Sequence, residues 1–447
     1  MRKNLWFLLT YLASICLFSC ASNESQYLKL ALETESWLQN QTNDSNVWPD
    51  AIDDPSNISL SFSDGMSGGL TFYLELYNAT GDEAYLNRAE EIGEYVLNNL
   101  PRKTDTLKGK FWAFSPYGNV CAPGFALTEL YKVTHKPKFL NGALSILDVL
   151  AHFADHPNDT ISWDLGNDVL GGLAGTGLFL LYAGEELENA KATNMAIGAG
   201  ETLIARAENE GDGLFWKRGQ NGRFILPNFS HGNAGIAYFL TRLYEKTGDE
   251  KFLNAALSAV DYLDNIANTT DDVYLIPYGF PDNDWRRPYD IGWAHGPAGV
   301  GRLFVLLNRV TSDVKWLKKA EACYNGIVSS NPLLTPQSNF GKEPFSTDQR
   351  FGLAGVGSFA QELYRLTSDQ KYLDFSLQII EHITTKSVMD EGRHWSIPRF
   401  GFMSNAGSIT TFNGYFYGNI GYGLLYLNQH FLLKGQRPSV RFVDDPF

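Results

Sequence analysis

Cysteine is nearly absent from this chain. It has four in 447 residues, and two of them, Cys16 and Cys20, lie in the first twenty. The remaining pair, Cys121 and Cys323, is too small for a disulfide framework and reads as small buried hydrophobes. Positive charge is also in short supply. Lys and Arg number 36 against 50 Asp and Glu, giving a formal net charge of −14 with no basic run. Such a surface repels a phosphate backbone, which excludes nucleic acid as a partner. Long apolar runs are missing too: the stretch from Leu5 to Phe18 falls short of the roughly 20 residues that a membrane-spanning helix needs. Aromatic residues, in contrast, are plentiful at 14%, with 29 Phe and 22 Tyr. They suit either a helix-packing core or a groove lined for sugars or peptides.

That short apolar run follows Arg2 and Lys3, as in a secretory signal. It ends in Leu17-Phe18-Ser19-Cys20, which resembles a bacterial lipobox. Residues 1–19 therefore read as a lipoprotein signal peptide, with Cys20 the lipidated residue, residues 20–26 a tether and residues 27–447 the folded domain. A signal cleaved to leave Cys20 unmodified is the alternative. A lipid anchor would place the domain at a membrane in the cell envelope without spanning it.

The folded part repeats itself. A Gly-x-x-Gly turn precedes an apolar run of about ten residues, then a polar turn, then an amphipathic run opening on an aromatic-Leu pair. The turns fall at Gly65/Gly68, Gly172/Gly175, Gly232/Gly235, Gly296/Gly299, Gly352/Gly355 and Gly418/Gly421. The period is roughly 55–65 residues, and self-similarity at a fixed period indicates a repeat architecture. Runs such as Leu303-Phe304-Val305-Leu306-Leu307 are apolar on all sides and must be buried all round, whereas the second runs suit an outer layer. The expected fold is all-α: a single α/α toroid of about seven helical hairpins. The run beginning at Gly423 lacks a following partner, which the helix beginning at Tyr27 can supply. The inner helices then start at one common end, facing a shared cavity. Two inserts, residues 274–292 and 388–417, are expected to wall it.

Within this repeat, Ser230-His231-Gly232-Asn233-Ala234-Gly235 and Trp293-Ala294-His295-Gly296-Pro297-Ala298-Gly299 resemble the Gly motifs of the lanthionine synthetase C-like family. The resemblance spans most of residues 60–430. It implies a seven-hairpin α/α toroid, with cyclases that add a Cys thiol to a dehydrated Ser or Thr of a peptide. It also implies a zinc held by two Cys and one His, which lowers the thiol pKa. The first Cys position is Ala294 here, and the Cys-His pair is Arg350-Phe351. All three ligands are replaced, so neither a metal nor any other cofactor is expected. Two positions that the family associates with proton transfer are kept, Asp168 and His231, and these are the candidate catalytic residues. Alternatively, Asp168 caps a helix entry and His231 is a hydrogen-bonded structural histidine. The family Arg before the first Cys is Asp290, with Arg286 and Arg287 close by. The family Tyr after that Cys is His295. His295, Asp290, Trp293 and Arg350 are the candidate substrate-binding residues.

Three functions fit these observations. The first is a protein of this family that binds or modifies a peptide or thiol without zinc. The second is a carbohydrate-active toroid that takes a glycan, with Asp168, Asp290 and Glu343 as candidate carboxyl groups. The third is a receptor that holds a small polar ligand in the same cavity without catalysis. The oligomeric state has no signature in the chain.

Overall fold

The computed structural model describes residues 25–107, 110, 112–156, 160–163, 166–217, 225–280, 289–333 and 345–446. Arg286, Arg287 and Glu343 lie outside these residues, as does Cys20. Among the described residues there are fourteen α-helices, and seven of them form an inner ring. The inner helices are α2 (Met66–Thr80), α4 (Cys121–Thr134), α6 (Leu173–Glu186), α8 (Asn233–Thr247), α10 (Pro297–Thr311), α12 (Leu353–Thr367) and α14 (Asn419–Leu433). Each packs against the inner helices before and after it, and α14 packs against α2, so the ring is closed. The first five residues of every inner helix are buried. No side of these helices faces water there, as their all-round apolar sequence requires.

The outer helices are α3 (Glu83–Asn98), α5 (Pro137–Phe153), α7 (Ala190–Arg206), α9 (Glu250–Ile266), α11 (Val314–Ser329) and α13 (Gln370–Thr384). Each pairs with the inner helix before it in sequence. On α9, Phe252, Ala255, Ala256, Ala259 and Leu263 are buried, the spacing of one helix face. Sequence also sets the corners. Asp82, Asp249, Asp313 and Asp369 cap outer helices, each accepting a backbone N–H two residues on. The seventh pair joins α1 (Gln26–Asn40) to α14. Ser25 and His430 hold that joint with a side-chain hydrogen bond of 2.5 Å.

The Gly-x-x-Gly turns gather at one end, as expected. A Cβ on Gly232 would lie 1.3 Å from the carbonyl oxygen of Leu226, and one on Gly235 would lie 2.0 Å from that of Phe229. Both glycines therefore let the chain fold back tightly on itself before the helix starts. The turns are then stitched to one another through backbone bonds. Leu170 N–H donates to Ser230 O, Ser230 N–H to Ala294 O and Ala294 N–H to Arg350 O, at 3.0, 3.0 and 2.8 Å. The circuit continues from Gln349 to Phe416, from Phe416 to Ser63 and from Ser63 to Tyr117, at 3.0, 2.8 and 3.3 Å. All seven turns thus stand in one ring around the axis.

The structure adds β-structure to the all-α expectation: three short antiparallel hairpins, 208–210 with 213–215, 388–389 with 393–394 and 396–398 with 409–411. The last two occupy the insert at 388–417. Ile409, Thr410 and Thr411 are β-branched, which suits an extended strand. After α14 the chain turns into the bore of the toroid from the end opposite the turns. Val440 N–H and the Ser439 hydroxyl donate to Glu75 Oε1 at 2.5 and 2.9 Å. Phe442 stacks on Phe62 at 4.0 Å. Cys121 and Cys323 are buried, unbridged thiols, and burial pushes both pKa values up. No helix among the described residues is long and apolar enough to cross a membrane.

Candidate active site at the axial ring

The residue before the first glycine of each turn is carried onto the ring by the stitching. Four such residues bear chemistry: Asp64, His231, His295 and Tyr417. His231 Nδ1 lies 3.1 Å from Asp168 Oδ2. The other carboxylate oxygen of Asp168 accepts the N–H of Gly171 at 2.6 Å, which fixes the carboxylate in its turn. The neutral imidazole tautomer that suits this pair has its proton on Nδ1 and a lone pair on Nε2. That Nε2 faces Arg350, whose Nη2 lies 3.5 Å away. His295 is buried alongside, with its ring centroid 5.5 Å from that of His231. The Tyr278 hydroxyl meets His295 Nε2 at 3.1 Å, so the insert at 274–292 does reach the site.

Arg350 is the charge at the centre. Its Nη1 donates to the Tyr417 hydroxyl. Its guanidinium carbon lies 4.6 Å from the Trp112 ring centre and 4.7 Å from that of Phe351. Aromatic faces stabilise a desolvated guanidinium and hold its plane. Below it, Asp348 Oδ1 accepts the backbone N–H groups of Arg350 and Phe351 at 2.8 and 2.7 Å. Burial raises the Asp348 pKa, and hydrogen bonds and the Arg350 charge hold it back. Asp64 is similar: burial raises its pKa, while a bond from Ser63 and the charge on Arg350 oppose the rise. Burial likewise raises the Tyr417 phenol, against the pull of Arg350.

The rim is aromatic. Phe400 and Phe402, on the loop between the strands at 396–398 and 409–411, stack at 5.8 Å. Phe402 is 63% exposed and its ring lies 5.6 Å from the Arg350 guanidinium carbon. The insert at 388–417 thus forms a wall, as its place in the sequence suggested.

The structure brings Asp168, His231, His295 and Arg350 together. Asp290 is half-exposed in the segment leading to the Gly296 turn, where its Oδ1 accepts the N–H of Ile291 at 2.8 Å. Trp293 requires a correction. It is buried among Tyr117, Phe229 and Phe416, and its indole N–H donates to Asp444 Oδ2 at 2.8 Å. Its one polar atom is spent on the segment in the bore, leaving none for a ligand. Sequence reasoning missed Asp64 and Tyr417, although their register before Gly65 and Gly418 matches that of His231 before Gly232. Tyr278 and Trp112 come from connecting segments and share no such register.

Zinc does not suit this donor set. Ala294 offers a methyl group, Phe351 a phenyl ring and Arg350 a permanent cation beside His231. Among the described residues no group of three or more His, Cys, Asp or Glu side chains is placed to hold a metal.

Comparison with known proteins agrees with the toroid fold. The nisin cyclase structure superposes with a TM-score of 0.60 at 17% identity, over 83% of this chain and 89% of that one. The Lin0763 protein of Listeria innocua superposes with a TM-score of 0.50 at 15% identity, over 92% of this chain and 99% of that one. At such identities the likeness establishes the toroid fold alone. The sequence itself matches the family described as lanthionine synthetase C-like protein over residues 8–107 and 56–338. On that match, which spans most of the chain and includes His231 and the turns that carry it, the protein belongs to the lanthionine synthetase C-like family.

Proposed function

We propose that this protein is a zinc-independent acid–base enzyme that works on a peptide or other small polar ligand in the axial site. The observation that carries the reading is the line Asp168–His231–Arg350. Asp168 orients His231 so that Nε2 can take a proton from a carbon beside a carbonyl group. The C–H electron pair moves towards the carbonyl oxygen, and Arg350, with the Tyr417 hydroxyl, stabilises the charge that develops there. Returning the proton to the same carbon or its neighbour completes the step without a metal. His295 and Tyr278 position the ligand on the other side. A lipid anchor on Cys20 would set this activity at a membrane surface in the cell envelope. Palmitate labelling that disappears in Cys20→Ala supports that part, and labelling that persists opposes it.

The test for the chemistry is deuterium wash-in. The purified protein is incubated in D2O with short peptides, including Cys-containing and dehydrated ones, and with reducing sugars. NMR then follows carbon-bound protons beside the carbonyl. Wash-in that His231→Ala abolishes supports the reading. A ligand that binds tightly but takes up no deuterium supports the receptor reading instead. One observation favours a glycan as the ligand: the exposed face of Phe402 beside polar donors suits a sugar ring, and wash-in confined to the sugars would decide for it.

A further inference from the structure

The toroid has a direction, and α1 fixes which end of it meets the N-terminal segment. At the start of α1, Ser25 bonds to His430 in the last turn of α14. Near its other end, Trp37 Nε1 donates to Asn413 Oδ1 at 3.3 Å and Asn40 Nδ2 to the carbonyl oxygen of Glu391 at 2.7 Å. Both acceptors belong to the insert that walls the axial site. Residue 25 therefore lies at the end opposite the turns. Cys20 is five residues before it, a reach of at most about 18 Å. With its 15 residues, α1 alone is about 22 Å long. A lipid on Cys20 thus holds residue 25 closer to a bilayer than the height of the barrel, and the turns cannot be the face pressed against it.

The surface around residue 25 suits that placement. Lys29, Lys434 and Arg437 are exposed there, and residues 25–29 and 430–437 contain no acid. Two of these charges have ion pairs, both long: 3.9 Å from Lys29 to Glu33 and 3.7 Å from Arg437 to Glu362. Leu433 is 50% exposed beside them, and Leu366 is 42% exposed at the end of α12. Arg365, the neighbour of Leu366, donates to the carbonyl oxygen of Gln436 at 3.4 Å, which brings the end of α12 up to this corner. The other six corners of the same end run from the last turn of an inner helix to the first turn of the next outer one. Over them Lys and Arg are as many as Asp and Glu, although the whole chain has 36 against 50. The acidic excess therefore lies elsewhere on the molecule.

We propose that the corner where α1 starts and α14 ends is a docking surface for an anionic lipid bilayer. Lys29, Lys434 and Arg437 meet the headgroups, and Leu433 and Leu366 enter the interface. Basic side chains near an anionic surface are attracted over about a Debye length, and apolar neighbours add burial. The axial ring then lies on the side away from the membrane, and its ligand arrives from the aqueous phase. The orientation rests on the lipid proposed at Cys20, whereas the patch stands on the surface alone.

The test uses the purified mature protein with vesicles of phosphatidylglycerol and phosphatidylcholine, compared with vesicles of phosphatidylcholine alone. A fluorophore is placed at Gln436→Cys or at Ser404→Cys, both exposed positions, while Cys121 and Cys323 are buried. Nitroxide headgroups quench whichever label lies near the bilayer. In the anionic vesicles the label at 436 should be quenched several-fold more than the label at 404. Equal quenching of the two labels, or stronger quenching at 404, overturns the orientation. Lys29→Gln combined with Lys434→Gln should lower affinity for the anionic vesicles by about 10-fold and leave that for phosphatidylcholine unchanged. Affinity for the anionic vesicles unchanged by the double substitution overturns the patch. Mass spectrometry of Cys20 decides the anchor separately. If no lipid is found there, the anchor reading fails and takes the orientation with it. Sedimentation with the same two kinds of vesicle then judges the patch, and binding no stronger to the anionic ones overturns it.

Discussion

The ring of turns and the interior of the bore are built from similar side chains and use them differently. At the ring of turns, Arg350, His231, His295 and Tyr417 meet around the axis, with Phe402 exposed beside them. Inside the bore, Arg302 lies 3.7 Å from Asp444 and also donates to its backbone carbonyl at 3.1 Å. Glu75 there is occupied by Ser439 and Val440. The segment at 436–446 therefore supplies an internal partner for charges that would otherwise be buried alone. Between the segment and the inner helices a cavity of about 120 Å³ remains, bordered by Phe62, Glu362 and Tyr415. That volume is well below the ~300 Å³ usual for a ligand pocket. The difference teaches that charge by itself does not mark a site in this barrel.

That contrast can be broken first at the turn end. His231→Ala removes the proposed proton carrier, and the deuterium wash-in rate should fall by about 10²–10⁴-fold with little change in thermal unfolding. A large fall in melting temperature with activity retained would reverse the roles assigned to the two regions. Inside the bore the expected effect is on stability. Asp444→Ala leaves Arg302 buried without its carboxylate and Trp293 without its acceptor, which should cost about 3–5 kcal/mol. Denaturant unfolding measures it, and Asp444→Asn should lose less because an amide oxygen can still accept from Trp293.

The third test concerns pH. The Asp50 carboxyl titrates near 3.8 when unperturbed and near 7 in the folded protein, mainly because of burial. Between those values the folded chain holds a proton that the unfolded chain has lost. The stability contributed by this group is thus complete below about pH 4 and is lost as pH rises through 7. Asp50→Asn should make unfolding less dependent on pH, with a gain of about 2–4 kcal/mol at pH 8 and almost none at pH 4. Thermal scans across that range check the sign. The smallest effect should come from the perimeter. Asp313→Ala removes the cap that accepts Lys315 N–H at 3.0 Å, and should cost about 1 kcal/mol without touching wash-in.

Much of the ring was legible in the chain because the repeat and the burial pattern obey the same periodicity. Gly65, Gly172, Gly232, Gly296, Gly352 and Gly418 announce the turns, and the all-apolar runs after them announce the inner helices. The turn before α4 was harder to see, since Asn119 and Ala122, two and five residues after the stitched Tyr117, stand where the other turns have their two glycines. The Asp168–His231 pair was readable because each residue sits at a fixed offset from a turn glycine. The aromatic setting of Arg350 was not. Trp112, Phe402 and Tyr278 arrive from segments that follow no period, so their meeting is a product of tertiary packing. Trp293 misled for a related reason: its place beside His295 in sequence says nothing of the side on which its ring is buried. The Asp444 that claims its indole lies 151 residues away.

The pairing of α1 with α14 carries a cost in time. Ser25 and His430 are 405 residues apart, yet they share the joint that closes the circle. Every other hairpin unites neighbours in sequence and can form as soon as both halves exist. This one waits for almost the whole chain. Until then α14, α2 and the surface that α1 covers present apolar side chains to whatever is nearby, an opening for aggregation. Contacts of such long range also slow the final step, since the chain must bring distant segments together before any bond rewards the search. The seam that makes the barrel seamless is therefore the last to be sewn, and a weakened α1 should show itself as slow or failed maturation before it shows as an altered site.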